Sequence, residues 1–194
     1  MADPHSTAIF PYQPSNMLIV MLAADTTKFA GSVKVNLPNA DFSYSVRLLD
    51  RPKFPTVNPV DMVGTGNRFE GGFPEVYSTE LHLFVDKSII SAIQNCFGGT
   101  NLGTMTIYEV GTGGGGPAVI TTRTLYNVFI EAVKFEFNAN YELWTSEGMV
   151  LTLVLKYPKI DEMRTQYDQD MSAQGNVASS SDTEKAVYGP GTGS

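Results

Sequence analysis

Two histidines, one cysteine and a run of glycines are the residues of this 194-residue chain whose types could do chemistry. A nucleophile needs a base, usually histidine, and a group that orients it. His82 stands two residues after Glu80 in an alternating segment, which puts both on one strand face, while His5 lies in a proline-flanked start. The pair reads better as a solvated strand face than as a catalytic dyad. Zinc would want a cluster of Cys and His, and Cys96 with two distant histidines does not supply one. The run Gly111 to Gly116 invites a phosphate-loop reading, yet it lacks the Gly-Lys-Ser/Thr ending and leads into a strand pattern, so it reads as a hairpin tip. The acids lack the spacing of a calcium loop. These residues predict no enzyme, no cofactor and no bound metal.

The elements that carry those residues are mostly strands. Met17 to Ala24 is a short apolar run that suits a buried strand. Phe42, Tyr44, Val46 and Leu48 alternate with polar residues, and so does Tyr77 to Val85, with Thr79, Leu81 and Leu83 on one side and Glu80, His82 and Phe84 on the other. At Asp86 the period changes to that of a helix: Ile89, Ile90, Ile93, Cys96 and Phe97 share one stripe, which predicts a helix over about Lys87–Phe97 ending at Gly98-Gly99. Asp86 or Ser88 is placed to cap it. Cys96 on that stripe reads as a structural thiol. Thr104–Val110 and Val119–Ile130 predict a hairpin around the glycine run, and Val133–Phe137 with Met149–Tyr157 a second pair.

Charged residues make up 17% of the chain, against a usual share of about 25%. The net charge of −7 divides unevenly: residues 161–194 hold six acids and two bases, so −4 falls there and −3 on residues 1–160. A nearly neutral body without a basic stripe argues against tight binding of nucleic acid. One cysteine excludes an intramolecular disulfide, and no run approaches the roughly 18 apolar residues of a membrane helix, so neither a signal peptide nor membrane insertion is expected. The domain expectation is a β domain over 1–160 with an extended loop at 50–75, then a polar, flexible tail over 161–194. Proline and glycine in that loop rule out a long helix or central strand. Its Phe54, Val57, Met62, Val63 and Phe69 would leave apolar surface in water, which marks them as candidate inter-subunit contacts. Glu80, His82, Lys134 and Glu136 face away from the core and are candidates for an inner or outer wall.

The order of strands, long loop, strand, helix, glycine-tipped hairpin and closing strand pair resembles a known family over about residues 42–160. Phe73 to Asp86 matches its strand and helix start, Asp86 to Gly99 its helix, Leu125-Tyr126-Asn127-Val128-Phe129-Ile130 the strand leading to the closing pair, and Leu151 to Tyr157 the final strand. The chain is thereby similar to the tail tube proteins of contractile-tailed bacteriophages and, more distantly, to the haemolysin-coregulated tube protein of type VI secretion. The resemblance implies an all-β fold with one helix, an antiparallel β-sandwich or partly closed barrel whose six copies form a ring. It also implies stacked rings in a virion tail, made in the host cytoplasm, with sheath and baseplate proteins as partners and DNA passing without tight binding. A tube protein of a bacterial type VI or other contractile injection system is the nearest alternative. From another class, a monomeric β-sandwich binding module would use Tyr12, Tyr108 and Trp144.

Overall fold

The first apolar run becomes strand β1 (Leu18–Ala23), and a computed structural model of the chain shows why it is apolar almost throughout. Ile19, Met21 and Ala23 enter the main core on one side, while Val20 and Leu18 pack into a second cluster with Phe42, Val110 and Tyr108 on the other. The structure describes residues 18–37, 40–54, 60–62, 69–71, 77–113, 116–137, 149–167, 173–182 and 187–190. Three short pieces follow β1: β2 (Asn36–Leu37), β3 (Ala40–Asp41) and β4 (Val46–Arg47). The strand expected through Phe42–Leu48 is broken at Tyr44, which adopts φ 67° and is exposed. Gly31 lies opposite this turn. A Cβ there would stand 2.0 Å from the Ser45 carbonyl oxygen, so only glycine lets the two backbones meet.

Within the proline- and glycine-rich loop, β5 (Val60–Met62) pairs with β6 (Phe69–Gly71), so the loop contains a small hairpin where irregular chain was expected. Next come β7 (Tyr77–Phe84) and helix α1 (Ser88–Gly98). Asp86 Oδ1 accepts the Ser88 N–H at 2.8 Å, and Gly99 closes the helix in the left-handed region at φ 57°. The helical stripe is narrower than its pattern. Ala92 is buried and Ile89 and Cys96 pack against the core, whereas Ile90 is 66% and Phe97 88% exposed, because the face that packs on the sheet is centred on Ser88 and Ala92.

The second half is long strands: β8 (Met105–Gly113), β9 (Gly116–Tyr126), β10 (Phe129–Phe137), β11 (Met149–Tyr157), β12 (Lys159–Tyr167), β13 (Ala173–Asp182) and β14 (Val187–Pro190). The strand expected over Val119–Ile130 is two strands, parted at Asn127, whose φ of 52° turns the chain. Residues 161–194, expected as a flexible tail, supply most of β12 and all of β13 and β14 among the described residues. The boundary at 160 falls inside β12, which pairs with β9 on one side and β13 on the other. A ladder of backbone hydrogen bonds makes these strands, so their serine- and glutamine-rich sequence gave no apolar alternation to read.

Two antiparallel sheets enclose the core. The larger runs β14-β13-β12-β9-β8-β1-β4, and the smaller runs β10-β11-β7. Leu81, Leu83, Leu151, Leu153 and Leu155 of the small sheet meet Ile19, Met21, Met105, Ile107 and Leu125 of the large one. At one seam the sheets are stitched together: Leu48 bridges Leu83, and the Leu49 N–H donates to the His82 carbonyl at 2.8 Å.

Candidate functional site

Three surfaces hold the residues of interest, and strand register assigns them. The outer face of the small sheet carries all four wall candidates together. Lys134 stands opposite Thr152, which stands opposite His82, and Glu80 is one step along β7. The Lys134 ammonium crosses β11 to Glu80 at 3.2 Å, an exposed pair worth about 0.2–1 kcal/mol. His82 Nδ1 meets Asp50 Oδ2 at 2.8 Å. That hydrogen bond holds the imidazole pKa above its usual value. Burial opposes the rise, and the charges of Asp50, Glu80 and Glu136 add to it. His82 therefore serves an ion pair at the seam between sheets. Further along this face, Phe84, Val150 and Leu49 form a small buried cluster.

The outer face of the large sheet is different. Thr106, Thr122, Thr124, Thr165 and Ser180 share it with Met163 and Ala178, all by register across β8, β9, β12 and β13. Its acid Asp161 is held on several sides: the Tyr126 hydroxyl donates to Oδ2 at 2.7 Å, Ser180 Oγ donates to Oδ1 at 2.5 Å, and the Lys159 ammonium lies 3.5 Å away. Burial, with Asp161 beside it, pushes the Tyr126 phenol up to about 12. This face presents hydroxyls and a neutralised charge pair. Tyr108, a candidate ligand-binding aromatic, is half-buried against Phe42, with ring centroids 4.7 Å apart. Tyr12 and Trp144 lie outside the described residues.

The third surface is the end of the core where apolar packing gives way to charge. Glu109 follows Ile107 into the core phase of β8 and is only 3% exposed. Arg123 of β9 donates to its Oε1 at 2.5 Å and to Glu162 of β12 at 2.9 Å, and Arg51 reaches Glu109 Oε2 at 3.1 Å. Burial works against the Arg123 charge, yet the two carboxylates hold its pKa above the ordinary value. Facing it from the small sheet is Tyr157, whose phenol burial pushes up to about 12 while its hydrogen bond with Thr79 pulls the other way. Tyr77 hydrogen-bonds Ser181 alongside.

Of the loop candidates, Phe54 is half-buried within its own chain, packed on the core with the Arg123 guanidinium 4.8 Å from its ring centroid. Met62 and Phe69 are register partners in the β5-β6 hairpin, and Val57 and Val63 lie outside the described residues. Sequence reasoning missed Asp50, Glu109, Arg123 and Glu162. The available signal was a charge in an apolar phase: Arg123 is in phase with Leu125, and Glu109 with Ile107. Among the described residues no group of three His, Cys, Asp or Glu is placed to hold a metal, and no helix is long and apolar enough to cross a membrane.

No family model and no curated protein sequence matches the chain. Solved structures do. A type six secretion system protein superposes with a TM-score of 0.72 at 11% identity, covering 89% of this chain and 99% of that one. Hcp1 from Salmonella typhimurium gives 0.62 at 9% identity over 89% and 98%. An Hcp protein gives 0.59 at 14% identity over 86% and 96%. The two packed sheets and helix α1 of the described residues thus have the fold of the Hcp proteins, the fold expected from the order of elements in the sequence.

Proposed function

We propose that the chain is the subunit of a hollow tube, six copies closing into a ring and rings stacking into a conduit. The observation that carries this reading is the likeness in fold to a protein named for type six secretion and to Hcp1 from Salmonella typhimurium, which covers 89% of this chain and 98–99% of those. The sheets support it. Among the described residues β14 is paired on one side only, and an open edge on a seven-stranded sheet is a liability unless a neighbour continues it. Exposed Ile90 and Phe97 are apolar surface of the kind that assembly covers, and the loop residues Val57, Met62, Val63 and Phe69 are proposed as further contacts from their apolar character in a proline- and glycine-rich sequence.

Within such a ring, the hydroxyl face of the large sheet suits the channel, and the face bearing Glu80, His82, Lys134 and Glu136 suits the outside, where sheath-like partners would meet it. Six-fold symmetry multiplies every unpaired charge on an inner wall into a ring of six, and basic rings would retain DNA with a steep dependence on salt. A wall of threonines with Asp161 and Lys159 paired avoids that. The names of the structural neighbours favour a bacterial injection system. The second reading, a phage tail tube that passes a genome without gripping it, is favoured by the neutral wall. A sheath gene beside capsid genes would select the phage tail, and a sheath gene beside secretion baseplate genes the injection system.

Sedimentation velocity of the purified chain tests the proposal. Rings or longer polymers are expected, and a species that stays at 21.1 kDa at all concentrations contradicts it. In assembled tubes, a cysteine at position 124 should resist a bulky thiol reagent that labels one at position 80.

A further inference from the structure

Where the chain leaves β4, three side chains within five residues grip three different strands. Asp50 bonds His82 of β7 at 2.8 Å, Arg51 bonds Glu109 of β8 at 3.1 Å, and Phe54 lies under Arg123 of β9. Pro52 between them is buried and its φ is fixed by its ring. The hub is Arg123. Its guanidinium contacts Glu109 through Nη1 and Glu162 through Nε and Nη2, and its Cζ lies over the Phe54 ring, 4.8 Å from the centroid. One side chain thereby ties β8, β9 and β12 to the departing chain. Lysine has neither the fork nor the flat face that this geometry uses.

We propose that Arg123 is a positioning residue for subunit assembly: it locks residues 50–54 across the polar end of the core, so that the proline- and glycine-rich segment beyond leaves each subunit in one orientation. The inference rests on the preceding reading of that segment as an inter-subunit contact. A root that is already ordered loses no conformational freedom when contact forms, and affinity rises with such preorganisation. Because the lock is ionic around a nearly buried carboxylate, substitution at either end unlocks it without touching the segment itself.

The test compares wild type, Arg123→Lys, Phe54→Ala and the double variant Glu109→Leu/Arg123→Met, which fills the same space without charge. Hydrogen exchange of the isolated subunit should accelerate roughly tenfold or more at the amides of Leu48 and Leu49, which bond the Ile19 and His82 carbonyls at the root of this segment, in each variant, with 105–110 still protected. Sedimentation should show association weakened by about tenfold or more, in the double variant as well, even where its melting temperature equals that of wild type. Wild-type exchange at 48 and 49 in Arg123→Lys overturns the lock. Accelerated exchange with undiminished association overturns the positioning role, since it leaves Arg123 merely structural. A wild-type chain that never associates overturns the assembly reading and the proposal with it, whatever exchange shows.

Discussion

Replacing Arg123 with methionine isolates the cost of the charge network at the end of the core. Glu109 is 3% exposed, and its two carboxylate oxygens are taken by Arg123 at 2.5 Å and Arg51 at 3.1 Å. The methionine variant leaves that carboxylate with Arg51, whose side chain is about half exposed, and takes from Glu162 its partner on β9. Breaking a buried pair from one side costs roughly 3–5 kcal/mol, and the surviving Arg51 contact places this case near the lower end, at about 3 kcal/mol. For a chain of this length that lowers the melting temperature by about 6–12 °C. Glu109→Leu/Arg123→Met should recover to within about 1 kcal/mol of wild type, because a packed apolar pair replaces a desolvated ionic one at little net cost. Thermal and urea unfolding of the two variants measure both figures. A single substitution costing under about 1 kcal/mol, or a double variant no better than the single, would refute the view that pairing in a low-dielectric site is what holds this end together.

Protonation of His82 gives a second expectation. Its folded-state pKa is raised, so the stability it contributes is present in full below the unfolded value and is lost as pH rises through the folded one. Its side chain is 31% exposed and that of Asp50 40%, so the effect is small. Melting curves from pH 5 to 8.5 should show a decline in wild type that is missing in His82→Gln, and parallel curves would count against the pairing. Gly31→Ala drives a Cβ into the Ser45 carbonyl 2.0 Å away and should destabilise by about 1–3 kcal/mol or more, whereas Gly99→Ala, with open space around its Cβ, should cost only the strain of its positive φ, about 1 kcal/mol. Equal melting temperatures for the two variants would show that the Gly31 contact is relieved by backbone shifts.

What could be read from residue order and what could not follows from where each element gets its identity. β7 and β11 were legible because Leu81 and Leu83, Leu151, Leu153 and Leu155 enter the core at every second position, although Phe84, Val150 and Thr152 on the other face are buried as well. The helix was legible for the same reason, though its stripe misassigned Ile90 and Phe97, since periodicity marks apolar residues and not what covers them. β12 to β14 were not legible. Ser179, Ser180, Ser181 and their neighbours are held by a backbone ladder that leaves no trace in hydropathy. Tyr44 hid a turn inside perfect alternation, because positive φ in a tyrosine has no sequence signal. The four wall candidates do share one face, as alternation required, yet alternation on β7 carried no hint that Asp50 would be brought to His82 by the stitch between the sheets. Arg123 and Glu109 were visible as charges in an apolar phase, and only the third dimension shows that they answer each other.

Imaging the purified protein by electron microscopy tests the central claim most directly. The account predicts rings with six-fold symmetry and an open centre, stacking into tubes as concentration rises, with the β8, β9, β12 and β13 face toward the hole. Solitary 21.1 kDa particles at every concentration, or closed oligomers with no central opening, would contradict it.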